Sequence, residues 1–313
     1  MRCDLHVHSK YSGPVTVPGL RRLLRECYSE PLAVYETARR RGMDLVTLTD
    51  HDSIEGALAL RGRPDFFMGE EVTCVLPRGR ELHVGVFDLD ERQHGEIARR
   101  RFDPESLFAY LAEQRLPACL NHPFSALTGR RELSDLHRGL AGLALLEARN
   151  GMLPRVTNDC ARSAGALRGR GLTGGSDAHT LATVGRAFTI VPGARTREEY
   201  LSALRRAATI PAGRAGSYAR LTTDVLRIMA GATRDALGTA PRDAGDVLRR
   251  AVLLLALPLA AVVPLATLVQ SLKERFWGAA LFARYRADLA ATPPPEVEAQ
   301  EATAPALGLE ARA

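Results

Sequence analysis

Short apolar runs recur through the first 191 residues, at 2–7, 44–49, 66–72, 82–87, 117–121, 142–147, 172–176 and 187–191, each bounded by Gly, Pro or polar residues. Runs this brief read as strands. Between several of them lie stretches with helical spacing: Pro31 to Arg41, Pro104 to Arg115, Pro154 to Leu167 and Arg195 to Ala207. Three of these begin at a proline, which suits a first helical turn. Such alternation predicts a mainly parallel α/β sheet or barrel, in which the C-terminal ends of the strands meet at one mouth.

The histidines are distributed unevenly over that frame. All eight (His6, His8, His51, His83, His94, His122, His137 and His179) fall in the first 179 residues. Asp4-Leu-His6-Val-His8-Ser9 opens the chain, and the two-residue period of a strand puts both imidazoles on one face, where they can grip one ion. Asp50-His51-Asp52 closes a second run, Glu71 ends a third, His83 lies in a fourth and His122 ends a fifth. Gly174-Gly-Ser-Asp177-Ala-His179 repeats the alternate-residue arrangement with a carboxylate and an imidazole. Asp50 has two readings, a cap for a helix beginning near Ser53 and a partner that orients His51. Glu70 competes with Glu71 for the site. His94 and His137 lack an accompanying carboxylate strand end and read as ordinary hydrogen-bonded residues.

This mixture of ligands has a chemistry. Neutral imidazoles suit zinc, iron or manganese, and a carboxylate can bridge two cations and reduce their repulsion. Ions held near one another polarise a phosphoryl oxygen and lower the pKa of a bound water to about 7. The expected activity is hydrolysis of a phosphomonoester or phosphodiester, of a small molecule, nucleotide or oligonucleotide, with a metal-bound hydroxide as nucleophile.

The five cysteines are widely spaced and include no C-x-x-C pair, so a disulfide framework or zinc ribbon is not expected. The net charge of +6 is almost wholly arginine, since Lys10 and Lys273 are the lysines, and it permits a nucleic-acid partner without indicating one. Met1 to Asp4 runs straight into a strand-like segment without a signal peptide's apolar region, so the catalytic domain is expected in the cytoplasm. No feature points to a protein partner.

Near residue 212 the pattern changes. Residues 213–248 read as a helical linker, 249–286 as an apolar helix and 287–313, rich in Ala, Pro and Glu, as a disordered tail. Residues 251–269 carry no charge, and a helix of that length rises about 28 Å, roughly a hydrocarbon core. Pro258 and Pro264 argue against a straight span, and four Lys or Arg lie within 20 residues on either flank, giving no orientation bias. Three readings stand: a membrane-embedded kinked helix attached to the inner membrane, an interfacial or oligomer-forming helix, and a core helix.

The ordered set D-x-H-x-H-S, T-D-H-D, G-x-E, a downstream His, H-P and S-D-A-H across residues 4 to 179 resembles the PHP (polymerase and histidinol phosphatase) family. The resemblance implies a distorted (β/α)7 TIM-like barrel and two or three divalent ions (Zn, Mn or Fe). It implies His6, His8, Glu71 and Asp177 around a first ion, and Glu71, His83 and His122 around a second, with Glu71 bridging. A third ion would use His51 and His179, but this chain has Gly13 and Pro14 where relatives usually add an Asp or His, leaving Asp52 or water to complete the shell. Arg149, after a strand end, is a candidate phosphate clamp or a solvent-facing arginine. The competing functional readings are a membrane-tethered metal-binding scaffold or regulator without catalysis, and a basic exonuclease.

Overall fold

The computed structural model describes residues 1–14, 24–127, 129, 131–238, 244–255 and 257–291; the expected disordered tail beyond Ala291 lies outside them. The strands are β1 (Arg2–Asp4), β2 (Leu45–Val46), β3 (Gly69–Val75), β4 (Glu81–Phe87), β5 (Ala118–Leu120), β6 (Leu145–Asn150), β7 (Gly171–Gly175), β8 (Ala187–Ile190) and β9 (Ile210–Gly213). The helices are α1 (Pro31–Arg40), α2 (Glu55–Leu58), α3 (Glu91–Arg100), α4 (Pro104–Glu113), α5 (Leu133–Gly142), α6 (Arg155–Leu167), α7 (Arg197–Arg205), α8 (Tyr218–Gly238), α9 (Ala244–Leu255) and α10 (Val263–Ala291).

The strands form two sheets, β2-β1-β8-β9 and β3-β4-β5-β6-β7, rather than one closed parallel barrel. The expected barrel is therefore corrected to a mixed α/β arrangement, for a simple reason. The β3–β4 link is a single short turn through Pro77–Gly79, far shorter than a parallel crossover needs, so the pair is antiparallel. β8 runs antiparallel to both β1 and β9. Isolated parallel bridges join the sheets at Val46–Phe66, His51–Glu71 and Val7–Ala178. Two of these bridges run through or beside the histidine motifs, so ligand-bearing segments lie along the seams.

Apolar side chains of both sheets pack beneath those seams, with Phe67 edge-on to Phe87 and both near the fully buried Tyr200 of α7. α7 is nucleated by a capping box, in which Thr196 accepts from the Glu199 amide and Glu199 reaches back. At the other end of the chain, α10 packs on α6 and α8, burying Leu281 and Tyr285 against Phe124 and its neighbours. Among the described residues no single helix is long and apolar enough to cross a membrane; α9 and the helical stretch after it form a pair bent by 43° that passes by length and composition only together.

Candidate metal centre

Glu71 sits at the middle of the site and is fully buried. Strand alternation sends Glu71 inward and its neighbour Glu70 outward, where Glu70 pairs with His94 at 2.7 Å. The two oxygens of Glu71 face different sets of imidazoles. Oε2 lies 3.1 Å from His6 Nε2, 3.5 Å from His8 Nε2 and 3.3 Å from His51 Nε2. Oε1 lies 3.1 Å from His122 Nε2 and 3.4 Å from His83 Nδ1, and accepts from Asn121 Nδ2 at 2.9 Å. Asp177 Oδ1 approaches His6 and His8 at 3.5 and 3.4 Å. His179 Nδ1 is 3.6 Å from the same oxygen.

The local backbone is shaped for this convergence. Val7, between the first two histidines, points the other way into the core with Leu48 and Ala178. His122 and Asp177 both occupy the left-handed region, at φ 28° and 52°, a cost that the surrounding hydrogen bonds hold in place. Gly175 is required where it stands, because a Cβ there would lie 2.2 Å from that of His6.

Polar neighbours fix the ring orientations. Glu147 Oε1 takes the Nδ1 proton of His6 at 2.9 Å, leaving Nε2 as the lone-pair nitrogen aimed at Glu71. The other Glu147 oxygen accepts from the His122 amide and from Asn150, which also donates to Asp177. His8 Nδ1 bonds Ser12 Oγ, and His179 Nδ1 donates to the Asp177 carbonyl. Asp4, buried, receives Ser176, Gly185 and His6 donors and so ties the first motif to the last.

Charge balance supports a cation. Burial works to raise the Glu71 carboxyl, yet His6, His51 and His83 outweigh it and hold it well below the usual range. Burial works against protonated His83 and His179 too, but Glu71 in the first case and Glu26 with Asp177 in the second carry both up to about 9. His8, buried and beside His179, is pushed down to about 3. The acids here thus draw protons onto imidazoles that a divalent ion would replace. Bonds of ~2.1 Å put neighbouring donors of a coordination shell ~3.0–3.4 Å apart, close to the separations around Glu71. Three donor groups have atoms within 4.8 Å of one another: His6, His8 and Asp177; His6, Glu71 and His122; His8, His51 and Glu71. The buried His8 Nε2 and His83 Nδ1, both aimed at these carboxylates, make no hydrogen bond. The residues fit a cluster of divalent ions.

Some sequence expectations are redirected. Asp50 does not touch His51; it is buried and accepts from the Ser9 amide at 2.5 Å and hydroxyl at 2.7 Å, anchoring the loop after His8. Asp52 is engaged by Arg101 and the Thr73 amide. Arg149 lies at the register shift in β6 and its charged neighbours are Arg162, Asp159 and Arg155 of α6, on the side away from the histidines. Glu147 and Asn150 of the same strand face the site instead.

Glu26 is the residue that the motifs do not flag. Its amide bonds the Gly13 carbonyl, and its Oε2 reaches His51 Nε2 at 3.4 Å and His179 Nε2 at 3.8 Å without a hydrogen-bond partner. It supplies the carboxylate missing at Gly13. A cleft of ≈ 340 Å³ opens beside it, lined in part by Gly13, Glu26, His51, His83 and Arg101.

Comparison with known proteins agrees with this geometry. A family model described as PHP-associated matches residues 156–209, which include Asp177 and His179. Over that segment the chain is similar to PHP-associated sequences. An uncharacterized protein of Methanocaldococcus jannaschii is 28% identical over 127 residues, 41% of this chain and 70% of that one. A two-domain Bacteroides vulgatus protein, named as containing a predicted PHP-like metal-dependent phosphoesterase, superposes with a TM-score of 0.53 at 17% identity. That match covers 68% of this chain and 65% of the other. PsfC from Pseudomonas syringae gives 0.53 at 20% identity, over 73% of this chain and 98% of PsfC.

Proposed function

We propose that this protein is a PHP-type phosphoesterase, which hydrolyses phosphate esters with the help of two or three divalent ions (Zn, Mn or Fe). The observation that carries the reading is Glu71, whose two oxygens serve two different imidazole sets from separate strand ends. On this reading Glu71 joins a first ion, with His6, His8 and Asp177, to a second, with His83 and His122. His51, His179 and Glu26 hold a third. Bound there, such ions supply Lewis acidity toward a phosphoryl oxygen and a water acidified to near neutrality.

The chain's own residues do the rest. Glu147 keeps His6 in the tautomer that offers Nε2, and Asn150 donates to Asp177 Oδ2, which leaves Oδ1 facing His6 and His8. Burial of Glu71 and the first two histidines keeps bulk water from competing for the donors.

Purified full-length protein is expected to carry stoichiometric metal and to release phosphate from members of a panel of nucleotides, sugar phosphates and short oligonucleotides. His6→Ala should keep its circular dichroism spectrum and lose at least about a hundredfold in rate. Undiminished turnover by His6→Ala, or by chelated wild type, contradicts the proposal. If an oligonucleotide is the substrate, its affinity will fall steeply with salt, which separates an exonuclease from a small-molecule phosphatase.

A further inference from the structure

α10 has one face packed on the domain and an apolar face opposite it. Its inward face, marked by Thr267, Ser271, Glu274, Gly278, Leu281 and Tyr285, is buried against the domain. At about 100° per residue, Leu265, Leu268, Val269, Leu272 and Phe276 form a second stripe roughly 160° round the helix from the first. All five are exposed, Phe276 by 73%. Leu254, Leu255, Leu257, Leu259 and Val262 extend the exposed apolar surface upstream. More than half of the large apolar side chains exposed among the described residues lie between Val247 and Phe276. A patch of this kind on a chain of ordinary composition marks an interaction surface.

The charges beside the stripe say what it meets. Lys273 and Arg275 lie on either side of it, and Arg284 and Arg286 repeat the pair nearly three turns on, where Ala283 and Ala287 continue the outward face. All four cations are exposed, and none has a carboxylate within ion-pair distance among the described residues. The acids of α10 are engaged elsewhere: Glu274 is buried on Ser125 and the Ala126 amide, and Asp288 bonds His137. A second copy docked by the same face would oppose cation to cation with no acid to relieve them. An apolar stripe edged by cations is instead the pattern of a helix lying in the plane of an anionic bilayer, with Lys and Arg reaching the headgroups. The 43° bend before α10 and the burial of its inner face suit lying on a membrane rather than crossing it.

We propose that the outward face of α10, with the apolar end of α9 before it, docks this protein on an anionic lipid surface. The proposal does not depend on the phosphoesterase reading. The full chain, mixed with phosphatidylcholine vesicles with or without phosphatidylglycerol, is followed by flotation, alongside two variants. One is Leu265→Gln/Leu272→Gln/Phe276→Gln; the other is Lys273→Gln/Arg275→Gln/Arg284→Gln/Arg286→Gln. Wild type should float with phosphatidylglycerol vesicles and bind them less as salt rises. The charge variant should lose about fivefold in partition coefficient for each cation removed, and the apolar variant should stay at the bottom of the gradient. Unchanged circular dichroism and metal content show that the fold is kept; if the triple variant misfolds, Phe276→Gln alone carries the same comparison. Wild type that ignores both vesicle types, or an apolar variant that floats like wild type, overturns the proposal. So does a wild-type dimer that the apolar variant converts to monomer without any vesicle binding, which would assign the face to a second copy.

Discussion

At the scale of single residues, the site is organised by which oxygen faces which imidazole. Glu147 touches no lone-pair nitrogen of the cluster, yet it fixes the His6 ring and the His122 amide. Glu147→Gln should therefore weaken metal affinity about 10- to 100-fold while leaving the fold intact, measured by competition with a chromogenic chelator. Without ions His83 and His179 titrate near 9, so around pH 7 both hold protons that a metal must displace. Affinity should accordingly rise with pH above about 7, about tenfold per unit for each proton released; a flat profile contradicts the proposed ligands. The histidines and Glu71 were legible in the sequence because a strand's period of two assigns facing residues directly. Glu26 was not, because its place depends on its amide meeting the Gly13 carbonyl, and no local pattern encodes that pairing.

At the scale of elements, the last helix belongs to the α/β body on its inner side. Glu274 reaches the loop that follows His122, accepting from Ser125 and the Ala126 amide. Glu274→Ala removes the acceptor from two buried donors and should cost about 2–3 kcal/mol in a denaturant titration. Tyr285→Ala, emptying a fully buried ring site, should cost about 3–5 kcal/mol. The strand-like runs from 2–7 to 187–191 each overlap a strand of the structure, since brief apolar runs between turn residues leave little choice. α3 escaped notice because Ile97 is its one buried side chain, and its capping box at Asp90 and Gln93 carries the local signal instead. Alternation left a parallel sheet or a barrel open, and the family resemblance implied the barrel. Strand direction depends on connection length, and the short β3–β4 turn decides it here.

At the scale of the whole molecule, the cluster stitches two sheets together at their seams, so ions bound there should stabilise the entire fold. At a free metal concentration about a hundred times Kd the gain is about 2.7 kcal/mol, worth about 5–10 °C in Tm for a chain of this size. Differential scanning fluorimetry before and after chelation and metal return checks it, and an unchanged Tm contradicts a cluster at the seams. The most direct test of the account is anomalous diffraction from crystals of the metal-loaded protein, collected at the absorption edge of the bound element. The account predicts at least two peaks flanking Glu71, one within about 2.0–2.3 Å of each of its oxygens. Well-diffracting, metal-replete crystals with no peak in contact with Glu71 would contradict it.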